Sequence, residues 1–167
     1  MKRKKLLAAL LAAVMGLTAF AGCSAQKETA QSKDVSSVSE AKNDFELTLD
    51  VPAREYKVGE TVDITGRIYN RSGKDIEIYD DIPEQEIVFA VVKAGTEPQF
   101  TSTELASDAT VFKKDTYIEN KYEYKAKTAG EFQIFADGNI TLKKGEKQSQ
   151  QEIVNLDRIS VDITVTE

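Results

Sequence analysis

From Phe45 onward, apolar residues recur at every second position. Phe45, Leu47, Leu49 and Val51 alternate with Glu46, Thr48 and Asp50, the period of a strand with one buried face. Pro52 offers no amide donor and ends that ladder. Val62, Ile64 and Ile68 alternate with Thr61, Asp63, Thr65 and Arg67. Asn70-Arg71-Ser72-Gly73 follows with residues that tolerate a left-handed backbone, which predicts a hairpin to a strand carrying Ile76 and Ile78. The run Ile87 to Val92 is apolar on both faces and reads as a central strand, its other reading being a strand with one face left for contact. In a later strand Ile118, Asn120, Tyr122 and Tyr124 share one face, and Glu119, Lys121, Glu123 and Lys125 the other. Gly130 to Ala136 gives another strand, and Asp137-Gly138-Asn139 reads as a turn. The last strand places Ile159, Val161, Ile163 and Val165 inside. About seven or eight short strands without a convincing helix predict an all-β, antiparallel β-sandwich over residues 44–167.

The pattern before Phe45 is different. Met1 to Lys5 is a positively charged segment, and Leu6 to Phe20 is apolar or small throughout except at Gly16 and Thr18. This is the form of an export signal, shorter than the roughly 20 residues that span a bilayer. Ser24 to Asn43 is polar, with two Val and no aromatic residue, and is expected to be a flexible tether. The expected division is therefore a leader at 1–22, an anchored linker at 23–43 and the folded domain at 44–167.

Charge and composition narrow the chemistry. The net charge of -6 includes Lys2, Arg3, Lys4 and Lys5 of the leader, so the mature chain lies near -10. Such a chain lacks the clustered cations that hold nucleic acid. It has no His and a single Cys, which removes histidine general-base chemistry, Cys/His metal clusters and internal disulfides. No Ser-x-x-Lys falls in a helical context where the Lys could activate a serine nucleophile, and no pair of carboxylates is placed by the sequence. No catalytic residue and no cofactor is expected.

Two resemblances add to this reading. Phe20-Ala21-Gly22-Cys23 resembles a bacterial lipobox, in which the Cys thiol receives diacylglycerol and becomes the new N-terminus. This implies lipidation at Cys23 and a place on the extracytoplasmic side of the cell membrane, held by several acyl chains. Ala19-Phe20-Ala21 also reads as an ordinary cleavage site, which would release the chain. Tyr56-Lys57-Val58-Gly59-Glu60-Thr61-Val62, Asn70-Arg71-Ser72-Gly73 and Ala129-Gly130-Glu131-Phe132 resemble, in that order, the approach to strand B, the B–C turn and the approach to strand F of bacterial immunoglobulin-like modules. The layout is also similar to the proteinase-inhibitor domain first known from Bacillus. The first resemblance implies an immunoglobulin-like sandwich acting as a binding or accessory module for an envelope protein, peptide or glycan. The second implies an inhibitory loop, for which Ala94 to Asp108, with Pro98 and Phe100, is the candidate. A structural or solute-capturing role beside a transporter is a third alternative.

Further candidates are few. Asp80, Asp81, Glu84 and Glu86 around Pro83 offer oxygens for Ca²⁺, in a spacing unlike an EF-hand, and read more simply as a solvated acidic loop. Tyr117, Tyr122 and Tyr124 offer an aromatic binding face, although Tyr122 and Tyr124 read more simply as core residues.

Overall fold

Alternation becomes burial in the computed structural model, which describes residues 36–79, 86–100, 108–147 and 150–167. The chain forms eleven strands among these residues: β1 (Ser36–Lys42), β2 (Phe45–Val51), β3 (Glu55–Lys57), β4 (Thr61–Asn70), β5 (Ile76–Tyr79), β6 (Ile87–Lys93), β7 (Ala109–Phe112), β8 (Tyr117–Lys125), β9 (Gly130–Lys143), β10 (Gln151–Asn155) and β11 (Ile159–Thr166). Phe45, Leu47, Leu49 and Val51 of β2 are buried, as are Val62, Ile64 and Ile68 of β4 and Ile159, Val161, Ile163 and Val165 of β11. Each such side chain contributes about 1.5–3 kcal/mol by leaving water.

Two sheets enclose this core. One has the order β1-β2-β4-β8; the other runs β3-β11-β9-β5-β7, with β6 and β10 also paired to β9. The fold is an all-β sandwich, antiparallel except where β3 runs parallel to β11. The chain changes sheets between β2 and β3, at Pro52, where a continued ladder would lack a donor. Tyr56 fastens this crossing: its buried hydroxyl accepts a hydrogen bond from the Ala53 amide at 3.1 Å.

Five expectations are corrected by the structure. The domain does not start at 44, because β1 pairs along its whole length with β2. Most of its residues are polar because an edge strand needs only backbone pairing on one side, while Val38 packs against the core. Asn43 and Asp44, at φ 50° and 71°, form the two-residue loop of this hairpin, whose left-handed positions suit both residues.

The hairpin expected after Asn70 is not formed. β5 pairs with β7 and β9 in the opposite sheet, so Asn70 to Asp75 is a corner between sheets. The fully buried Asn70 carboxamide holds it, donating to the carbonyls of Lys74 and Phe112 at 2.9 and 3.0 Å and accepting from the Ser72 hydroxyl at 2.6 Å.

Asp137-Gly138-Asn139 is no turn but the middle of β9, a strand of 14 residues. Gly138 marks where β9 changes neighbours, from β11 to β10 on one side and from β6 to β5 on the other. A side chain there would press on Ile68, Leu156 and Leu47, 3.2–3.3 Å from an added Cβ.

β6, expected to be central, is an edge strand whose only partner among the described strands is β9. Its inner residues Ile87 and Phe89 approach β4 where Gly66 leaves space; a Cβ on Gly66 would lie 2.7 Å from Ile87. Its outer residues Val88, Ala90 and Val92 lie opposite Asp137, Phe135 and Gln133 and are half-buried. The sandwich thus has more strands than the seven or eight expected, because β3, β7 and β10, of three to five residues, are too short to show a period.

Candidate functional site

The expected sites divide by where they fall. The leader, Cys23 and the tether up to Val35 lie outside the described residues, as do Asp80, Asp81 and Glu84. Glu86, the described member of that acidic group, is 4% exposed. No group of three or more His, Cys, Asp and Glu suited to a metal ion occurs among the described residues. No helix among them is long and apolar enough to cross a membrane.

The three tyrosines do not form one face. Strand parity sends Tyr117 to the outer surface and Tyr122 and Tyr124 toward the other sheet. Tyr122 stacks on Phe89 at 6.3 Å between ring centroids, and Tyr124 meets Phe132 at 6.2 Å. Tyr122 remains 46% exposed because β8 is an edge strand. Burial raises the Tyr124 pKa above that of an ordinary phenol.

Tyr117 belongs instead to a cross-strand network on the outer face of the β1-β2-β4-β8 sheet. Register places Glu46, Tyr69 and Tyr117 in one row and Thr48, Arg67 and Glu119 in the next. The Arg67 guanidinium donates to Asp50 and Glu119 at 2.5 and 2.8 Å and lies 5.6 Å from the Tyr117 ring centre. Arg71 pairs with Glu46 at 2.7 Å and covers the Tyr69 ring at 4.4 Å. Glu119 is held below the ordinary carboxylate range by the hydrogen bond from Lys121 and then by that from Arg67. The charges are internally matched, so this face does not present a net cation or anion patch.

Beside it lies a groove of about 240 Å³ lined by β7 and the start of β8, with Ile78, Phe112 and Ile118 among its walls. Among the described strands β7 pairs only with β5 and β8 only with β4, so the groove opens between two sheet edges. Val111 is 50% and Tyr117 52% exposed. A four-residue strand carries too little alternation for the sequence to show that Val111 faces outward.

The candidate loop from Ala94 is fastened over its first part. Pro98 is buried, and the Arg158 guanidinium lies 4.6 Å from the Phe100 ring centre and 6.0 Å from that of Phe135. Arg158 also donates two hydrogen bonds of 2.8 Å to Asp137, which keep its pKa above the ordinary value. Phe100 is thereby held on the outer face of β9, and the loop's middle, 101–107, lies outside the described residues.

No family model matches this chain, and no curated protein is similar to it at a significant level.

Proposed function

We propose that the chain is a lipid-anchored, non-catalytic module of the bacterial cell envelope, joined to the membrane through Cys23, which binds an extended segment of a protein partner. The groove between the β7 and β8 edges carries this reading. Among the described strands these two pair on one side only, and such edges offer backbone groups to an added strand. Val111 and Tyr117, both about half exposed, offer apolar and aromatic contacts for its side chains. At about 240 Å³ the groove is smaller than the roughly 300–1,000 Å³ of pockets that enclose small ligands, which favours one or two inserted side chains over a captured solute. The lipobox supports the envelope location, and the absence of His from the chain supports a binding role over an enzymatic one.

The test is affinity capture from cross-linked, detergent-solubilised envelopes with the wild-type chain, beside Val111→Asp and Tyr117→Ala. A partner retained by wild type and lost from both variants supports the groove. A partner retained equally by all three places the contact elsewhere.

A second reading, a proteinase inhibitor, draws on the clasp of Phe100 by Arg158, since an inhibitory loop gains affinity when its ends are held in place. Absence of inhibition across serine and metalloproteases at micromolar concentration removes it.

A further inference from the structure

The folded domain lacks the side chains that usually absorb oxidants. The chain has no Trp, its two Met are Met1 and Met15 of the leader, and its single Cys is Cys23. Sulfur, the common sink for oxidation, is absent from Ser24 to Glu167. Six tyrosines remain, and the structure separates them. Tyr56 and Tyr79 are buried at 4% and 5% exposure. Tyr122 and Tyr124 share one face of β8, but the ring of each packs against a phenylalanine, Phe89 and Phe132. Tyr69 and Tyr117 face each other: they are directly opposed in the β4–β8 register, with ring centroids 5.3 Å apart and planes inclined by 54°. Tyr117 is 52% exposed, so an oxidant has access. Arg71 over Tyr69 and Arg67 over Tyr117, themselves fixed by Glu46, Asp50 and Glu119, restrict both rings to this corner.

We infer that Tyr69 and Tyr117 are a cross-linking site, at which a haem peroxidase with hydrogen peroxide joins the two rings as dityrosine. Each phenol gives up one electron and one proton, and the peroxide is reduced to two molecules of water. The two phenoxyl radicals couple through ring carbons ortho to oxygen, forming one C–C bond. The ring hydrogen at each joined carbon shifts to its oxygen, restoring two phenols, so the protein loses two hydrogen atoms in all. Opposed residues on neighbouring strands already hold the rings within reach. The bond would tie β4 to β8 and close the chain between them, a constraint on the unfolded state of the kind a disulfide supplies elsewhere. The inference rests on this pair alone and not on the binding role proposed above.

The experiment treats the purified full chain, at a dilution that disfavours encounters between molecules, with a peroxidase and hydrogen peroxide, and follows intact mass, dityrosine fluorescence and peptide mapping. The expected product is a monomer lighter by two hydrogen atoms, with one link joining the peptides of Tyr69 and Tyr117 and a raised Tm. Tyr69→Phe and Tyr117→Phe each abolish the link, and Tyr122→Phe retains it. A wild-type monomer of unchanged mass, under conditions that couple free tyrosine, overturns the inference. So does a link mapped to another pair or found only between molecules.

Discussion

The carboxamide of Asn70, at the end of β4, donates to the carbonyl of Phe112 in β7, binding the two sheets of the sandwich at one corner. The same group supports the carbonyl of Lys74 and receives the Ser72 amide at 3.1 Å. Asn70→Ala removes the buried hydrogen bond to the Phe112 carbonyl together with the partly buried ones to Lys74 and Ser72, and an unsatisfied buried group costs about 1–3 kcal/mol. Urea unfolding is expected to show a loss of about 2–4 kcal/mol, while Ser72→Ala, which leaves both Asn70 donors in place, is milder.

Gly66 and Gly138 both face the core, yet alanine is expected to act differently at each. At Gly66 a Cβ meets Ile87 at 2.7 Å and Phe89 at 2.9 Å; at Gly138 the nearest atoms are side-chain ends at 3.2 Å. Overpacking costs about 1–3 kcal/mol, against roughly 0.5–1 kcal/mol gained when Gly gives way to Ala within regular structure. Thermal melts should find Gly66→Ala clearly destabilised and Gly138→Ala near wild type.

Burial pushes the pKa of Tyr56 above its ordinary value of 10.0. The folded state therefore holds this proton more tightly than the unfolded chain, a contribution complete below that value and lost as pH rises through the folded pKa. Stability should decline above about pH 10, and more shallowly in Tyr56→Phe. That variant should also lose about 1–2 kcal/mol at neutral pH, because the Ala53 amide is left unpaired. Equal alkaline slopes by denaturant titration would assign the decline to other groups.

Glu119 works in the opposite sense. Its lowered pKa means a contribution present above the unfolded value and lost as pH falls through the folded one. Glu119→Gln is expected to reduce stability slightly at neutral pH and to converge with wild type in acid, checked by unfolding at a series of pH values down to about 3.

Arg158 fastens Phe100 to the face of β9 through its hydrogen bonds to Asp137. Arg158→Ala should speed hydrogen exchange in the described part of this segment, Ala94 to Phe100, while β9 and β11 remain protected. The global cost should stay near 1 kcal/mol, the worth of an exposed cation–aromatic contact.

Several features were legible in the chain. Alternation alone marked the buried faces of β2, β4 and β11, because burying every second residue on one side leaves a period of two whatever the neighbours are. Parity also sets Tyr117 on the face opposite Tyr122 and Tyr124, against the single aromatic face expected of the three, because successive side chains of a strand point to opposite sides. β1 and β7 were hidden for the converse reason: edge strands are satisfied by backbone pairing, and their side chains are left largely unconstrained.

Residue pattern was enough to show a domain built of strands, the inward faces of β2, β4 and β11, and a composition with no His and too few Cys for an internal disulfide. Which strands pair depends on long-range contacts, and those contacts make Asn70 a corner between sheets and carry Gly138 through the middle of a strand. They also bring Val111 to the rim beside Tyr117, and Tyr69 against Tyr117. Local propensity cannot supply such facts: Asn and Gly suit a turn in isolation, and whether the chain turns or continues depends on hydrogen-bond partners and core contacts many residues away.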